Sequence, residues 1–172
     1  MVTQIPANAI GFDVTEMSDH MDKWALAIGR FLVAFTSCEY WTYLFIRTYG
    51  SECLREATSD LHLKSRAAIA QALVTDIGLT DEAQKRVDKA FADLSRLAKP
   101  RNLVAHNSPL VQIYKDEQDM LLVRHELRSA RDESKGITIE LLAALTAECR
   151  ALDQELALLY GFVRQPENRR HE

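Results

Sequence analysis

From about residue 18 to 49, Trp24, Ile28, Phe31, Phe35, Cys38 and Phe45 recur at steps of three and four or their sum, which predicts one long amphipathic helix. Gly50 is its expected end. A second helix is expected over about residues 59 to 77, with Leu61, Ala68, Ile69, Ala72 and Leu73 facing inward and Gly78 as the stop. Thr80 caps a third, whose inner face is Ala83, Val87, Ala90, Phe91, Leu94 and Leu97. After Pro109 the period changes. "LVQIY" and "MLLVRHEL" around the polar "KDEQD" predict a β-hairpin of residues 110 to 114 and 120 to 127. "RSARDESKG" reads as a loop. Thr138 then opens the last helix, where Leu142, Leu145, Cys149, Leu152, Leu156, Leu159 and Val163 alternate steps of three and four. Such a seam wants a partner helix, either in a second copy or in the first helix of the same chain. The expected architecture is all-α: an antiparallel helical bundle with a short β-hairpin before the last helix, in a single domain with flexible ends at residues 1–17 and 164–172.

Composition narrows the class without changing this picture. A chain of 172 residues with 47% hydrophobic and 27% charged residues suits one soluble globular domain. The N-terminus lacks the pattern of a secretory signal, and Arg30 and Glu39 interrupt the most apolar stretch, so neither export nor a membrane span is expected and the location is cytoplasmic. Cys38, Cys53 and Cys149 are odd in number and scattered, which argues against a metal site or a disulfide framework. The net charge is -4, yet residues 85 to 101 hold six basic side chains against two acidic ones, a local +4 that leaves -8 for the rest. On the third helix Lys85, Lys89, Arg96 and Lys99 lie opposite the apolar face.

Candidate chemistry gathers at "KPRNLVAHNSP", residues 99 to 109. Arg101 and His106 are four residues apart from end to end of their spacer, and Asn102 stands one helical turn before His106. The same bare Arg-to-His pattern runs from Arg55 to His62 and from Arg164 to His171, so spacing alone is weak. If the helix continues through Pro100, Arg101 returns to the inner face; alternatively, Pro100 opens a new short helix, and the relation of Asn102 to His106 survives either way. On the first helix Glu39 falls inside the apolar face, at about 60 degrees when Trp24 is zero. A carboxylate buried alone costs several kcal/mol, so Glu39 needs a partner, and Arg101 is the expected one. These residues read two ways. They form either a polar joint tying a kinked helix to its neighbour or a site.

An all-helical chain with a glutamate in its first long helix, then R-N-x-x-x-H after the third, a hairpin and a closing helix, resembles the HEPN superfamily, in particular compact bacterial proteins carrying R-N-x-x-A-H. Here that motif is Arg101, Asn102, Ala105 and His106. The resemblance implies a metal-independent endoribonuclease working as a homodimer with a shared site and no cofactor. In it Arg101, Asn102 and His106 are catalytic, Glu39 fixes Arg101, and Lys85, Lys89, Arg96 and Lys99 guide the RNA. It also implies a toxin or phage-defence setting, with any antitoxin a separate protein. The alternative within the same family is a non-catalytic dimer that binds nucleotide, RNA or a protein partner.

Overall fold

The computed structural model describes residues 3–4, 14–115, 121–132 and 134–169, with side chains from residue 19 to 110 and from 126 on. In chain order the elements are β1 (Thr3–Gln4), α1 (Val14–Tyr49), α2 (Glu52–Thr58), α3 (Leu63–Thr75), α4 (Asp81–His106), β2 (Pro109–Lys115), β3 (Leu121–Arg128), β4 (Gly136–Ile137) and α5 (Ile139–Phe162), followed by a 3-10 turn at Pro166–Asn168. The fold is therefore mostly helical with a small antiparallel sheet, and its hairpin precedes the last helix. Most of the expected turn at residues 115 to 119 lies outside the described residues.

The chain divides into two compact units. The first comprises residues 1–31 and 100–145. Its sheet has the order β1-β2-β3-β4, with Pro109 opposite Leu127, Lys115 opposite Leu121, and Leu127 opposite Ile137. Trp24, Phe31, Val104, Leu127, Ile137, Leu142 and Leu145 are buried hydrophobic side chains of this unit. Thr138 accepts from the amide of Leu141 at 3.2 Å, the expected cap of α5.

The second unit comprises residues 32–99 and 146–172. Phe35, Cys38, Phe45 and Ile46 of α1 are buried there, as are all six expected inner residues of α4. Three hydrogen bonds join α1 to α5: Cys38 Sγ to the Cys149 carbonyl (3.0 Å), Trp41 Nε1 to Asp153 Oδ1 (2.7 Å), and the Thr48 and Tyr160 hydroxyls (2.7 Å). Both residue numbers rise together, so these two helices run in the same direction. By contrast, Arg86 meets Glu155 while Arg96 meets Glu148, which makes α4 and α5 antiparallel.

One expectation for this unit is corrected. The buried stripe of α3 is Arg66, Ala67, Ala70 and Val74, while Ala68 and Ala72 are exposed. Alanine on either side of a helix gives little preference. Glu52–Thr58 form a separate helix, α2, capped by Ser51 and too short to show a period. The Thr80 amide donates to the Asn168 carbonyl at 3.0 Å, and Leu79 bridges Arg169. Gly78 stops α3's trailing turn with φ +75, a left-handed conformation that glycine adopts without a side-chain clash.

Candidate functional site

Pro100 lies inside α4, and the helix continues through it to His106. A single helix thus carries Arg101, Asn102 and His106 in its last two turns. Arg101 is half-buried, whereas Asn102, Ala105 and His106 are exposed and Val104 anchors the turn at 4% exposure. Arg101 Nη1 donates to Asn102 Oδ1 at 3.2 Å, so the two side chains that the motif places in sequence also touch in space.

Asn107, which the sequence reading did not single out, holds the end of this helix. Its Nδ2 donates to the Leu103 carbonyl at 2.7 Å, and its Oδ1 accepts from the Ala130 amide at 2.9 Å. The first bond satisfies one of the carbonyls left open at a helix C-terminus, and an asparagine just past the last helical residue is the signal that could have found it. The second bond fixes Ala130 beside the motif. The loop around it is ordered by its own bonds: Ser129 Oγ accepts from the amides of Arg131 and Asp132, and the Ser129 amide donates to the Lys135 carbonyl. Lys135 and then Ser134 hold the Asp132 carboxyl down at about 2.

The structure gives the Glu39 carboxylate to Arg66. Arg66 is 2% exposed, and it also donates through Nε to Thr42 Oγ1 (2.9 Å) and through Nη1 to the Leu61 carbonyl (2.7 Å), with its guanidinium 3.9 Å from the Tyr43 ring. The physical requirement for a buried cation was right. The cation comes from α3, whose polar inward residue periodicity does not reveal.

The basic residues of α4 are partly occupied. Arg96 bonds Glu148 at 2.7 Å and Asp93 at 3.4 Å, Lys89 lies 3.6 Å from Asp93, and Lys85 and Lys99 are exposed. Between α4 and α5 a groove of about 300 Å³ is lined by Arg86, Lys89 and Arg96 and equally by Asp93, Glu148 and Glu155. Three cations against three carboxylates leave it without net charge. Contact with Cys149 and burial push the Cys38 thiol far up. Among the described residues, no three His, Cys, Asp or Glu side chains gather as metal ligands would, and no helix is long and apolar enough to cross a membrane.

In comparisons with known proteins, no family model, curated protein or solved structure matches this chain.

Proposed function

We propose that the protein is a HEPN-type, metal-independent endoribonuclease that acts as a homodimer on single-stranded RNA. The observation that supports this reading most directly is the presentation of the motif: exposed Asn102 and His106 beside half-buried Arg101 on adjacent turns of one helix. Cleavage of RNA through its own 2'-hydroxyl forms a bond from that oxygen to phosphorus and breaks the bond to the 5'-oxygen. One group must take the 2'-proton and another must give a proton to the leaving oxygen. A histidine is suited to either task near neutral pH, and two copies in a dimer supply both. The Arg101 guanidinium matches two phosphate oxygens and stabilises the charge that builds on them. Asn102, bonded to Arg101, orients that guanidinium or the substrate. Lys85 and Lys99, and Lys89 and Arg96 once freed from their carboxylates, guide the strand. Such an activity belongs in the cytoplasm, in a toxin or phage-defence setting, under the control of a separate antitoxin protein.

The neutral charge balance between α4 and α5 favours a second reading, a non-catalytic dimer that binds nucleotide, RNA or a protein partner. Cleavage of a single-stranded RNA in EDTA separates the two. His106→Ala and Arg101→Ala are expected to slow it by about 10²- to 10⁴-fold, with products ending in a cyclic phosphate. Cleavage undiminished in His106→Ala, or no cleavage above background by the folded parent, overturns the nuclease reading.

A further inference from the structure

Within the second unit, α1 and α5 run side by side and their contacts keep one register. The joined residues are 111, 112 and 112 apart in sequence, at Cys38 with Cys149, Trp41 with Asp153 and Thr48 with Tyr160. The first of these rungs brings two thiols together, and the proposed nuclease chemistry uses neither. Cys38 and Cys149 are both 0% exposed, whereas Cys53 is exposed on α2. The Cys38 sulfur lies 3.0 Å from the Cys149 carbonyl oxygen and 3.5 Å from that of Ala34 on its own helix. That reach puts the two Cα atoms no more than about 8 Å apart, a bound that takes in the roughly 4.4–6.8 Å a disulfide spans. The two thiols are not equivalent. Contact with Cys149, burial and Asp153 push the Cys38 thiol up, while contact with Cys38, aided by Arg96, lowers the Cys149 thiol against burial and Glu148. Cys38 is thus the proton donor of the pair and Cys149 the acceptor.

We infer that Cys38 and Cys149 form an oxidation site, which hydrogen peroxide converts into an intrachain disulfide locking α1 to α5. The Cys149 sulfur attacks one peroxide oxygen and the O–O bond breaks. The departing oxygen leaves as water with the thiol proton, and Cys149 becomes a sulfenic acid. The Cys38 sulfur then attacks the Cys149 sulfur, the S–O bond breaks, and a second water leaves with the Cys38 proton. The two thiols lose two electrons in all, and the peroxide gains them. Peroxide is small enough to enter when the helices open locally, and the neighbouring thiol resolves the sulfenic acid before a second peroxide arrives. The rung at Trp41 and Asp153 holds the register while the bond forms, so the oxidised helices keep the same pairing. A thiol reductant reverses the bond, which makes the seam a lock that follows the surrounding oxidant.

The test uses the full chain with Cys53→Ser, so that Cys38 and Cys149 are the two thiols left. Hydrogen peroxide is added to the folded protein while circular dichroism stays helical, and thiols are then counted after denaturation. The count is expected to fall from two to none, a peptide map should join residues 38 and 149 within one chain, and the urea midpoint should rise until dithiothreitol restores it. Cys38→Ala, which removes the resolving thiol, should leave Cys149 as a sulfenic acid that dimedone traps, whereas Cys149→Ala should leave Cys38 a thiol under the same peroxide. Two thiols that persist in the folded protein overturn the inference. So does a Cys149 that ends as a sulfinic acid with Cys38 still reduced, or a bond that joins two chains. None of these readouts involves RNA, so they stand or fall apart from the nuclease reading.

Discussion

At the scale of single residues, Arg66 shows what a buried charge requires. Its guanidinium is desolvated, and its donors are consumed by a carboxylate, a hydroxyl and a backbone carbonyl while a tyrosine ring covers one face. Removing one partner leaves the other charge uncompensated. Glu39→Ala is therefore expected to destabilise the protein by about 3 to 5 kcal/mol in urea unfolding. Combining it with Arg66→Met should recover much of that loss, because the pair is then replaced by apolar volume. A Glu39→Ala cost under about 1 kcal/mol would mean that Thr42 and Leu61 alone satisfy the arginine. The need for a partner was legible in the sequence, since Glu39 falls on an apolar face. The partner's identity was not, because it depends on which turn of α3 meets α1.

At the scale of elements, α4 carries both the most legible face and an internal contradiction. Its six inner residues repeat at helical spacing and are all buried, yet Pro100 sits inside the helix before the motif. The proline ring removes an amide donor, leaves the Arg96 carbonyl without its intrahelical partner and crowds it. Pro100→Ala is expected to raise stability by about 1 to 3 kcal/mol, read from the denaturation midpoint at constant slope. If Pro100 serves the presentation of Arg101 and His106, RNA cleavage should fall in the same variant. Opposite signs for stability and activity identify a position kept for function, whereas a loss of stability would show that the restricted φ of proline outweighs the missing bond. The α3 face was misread by comparison. Its apolar residues are mostly alanines, whose burial has too little area to bias a helix toward one side.

At the scale of the whole molecule, the leucine seam of α5 distinguishes an internal core from an interface. Leu156 is fully buried in one chain, so Leu156→Ala should cost about 2 to 5 kcal/mol by leaving a cavity, while the mass in light scattering stays that of the parent. A variant that folds normally but changes mass would make the seam an interface. Two things were determined by the sequence by itself. The helices of α1, α4 and α5 follow from apolar residues at helical spacing, and the hairpin from a change of period, because each is a local pattern with a large apolar area behind it. The motif's shared turn at Asn102 and His106 is likewise local, being set by helical rise. Tertiary structure decided what local pattern cannot carry: that Glu39 belongs to Arg66, that Arg96 and Arg86 of α4 are met by Glu148 and Glu155 of α5, that Asn107 reaches Ala130, and that the seam is filled from within. Each of these joins residues far apart along the chain, so its energy depends on which helices meet and at what height, and no spacing within one segment encodes that.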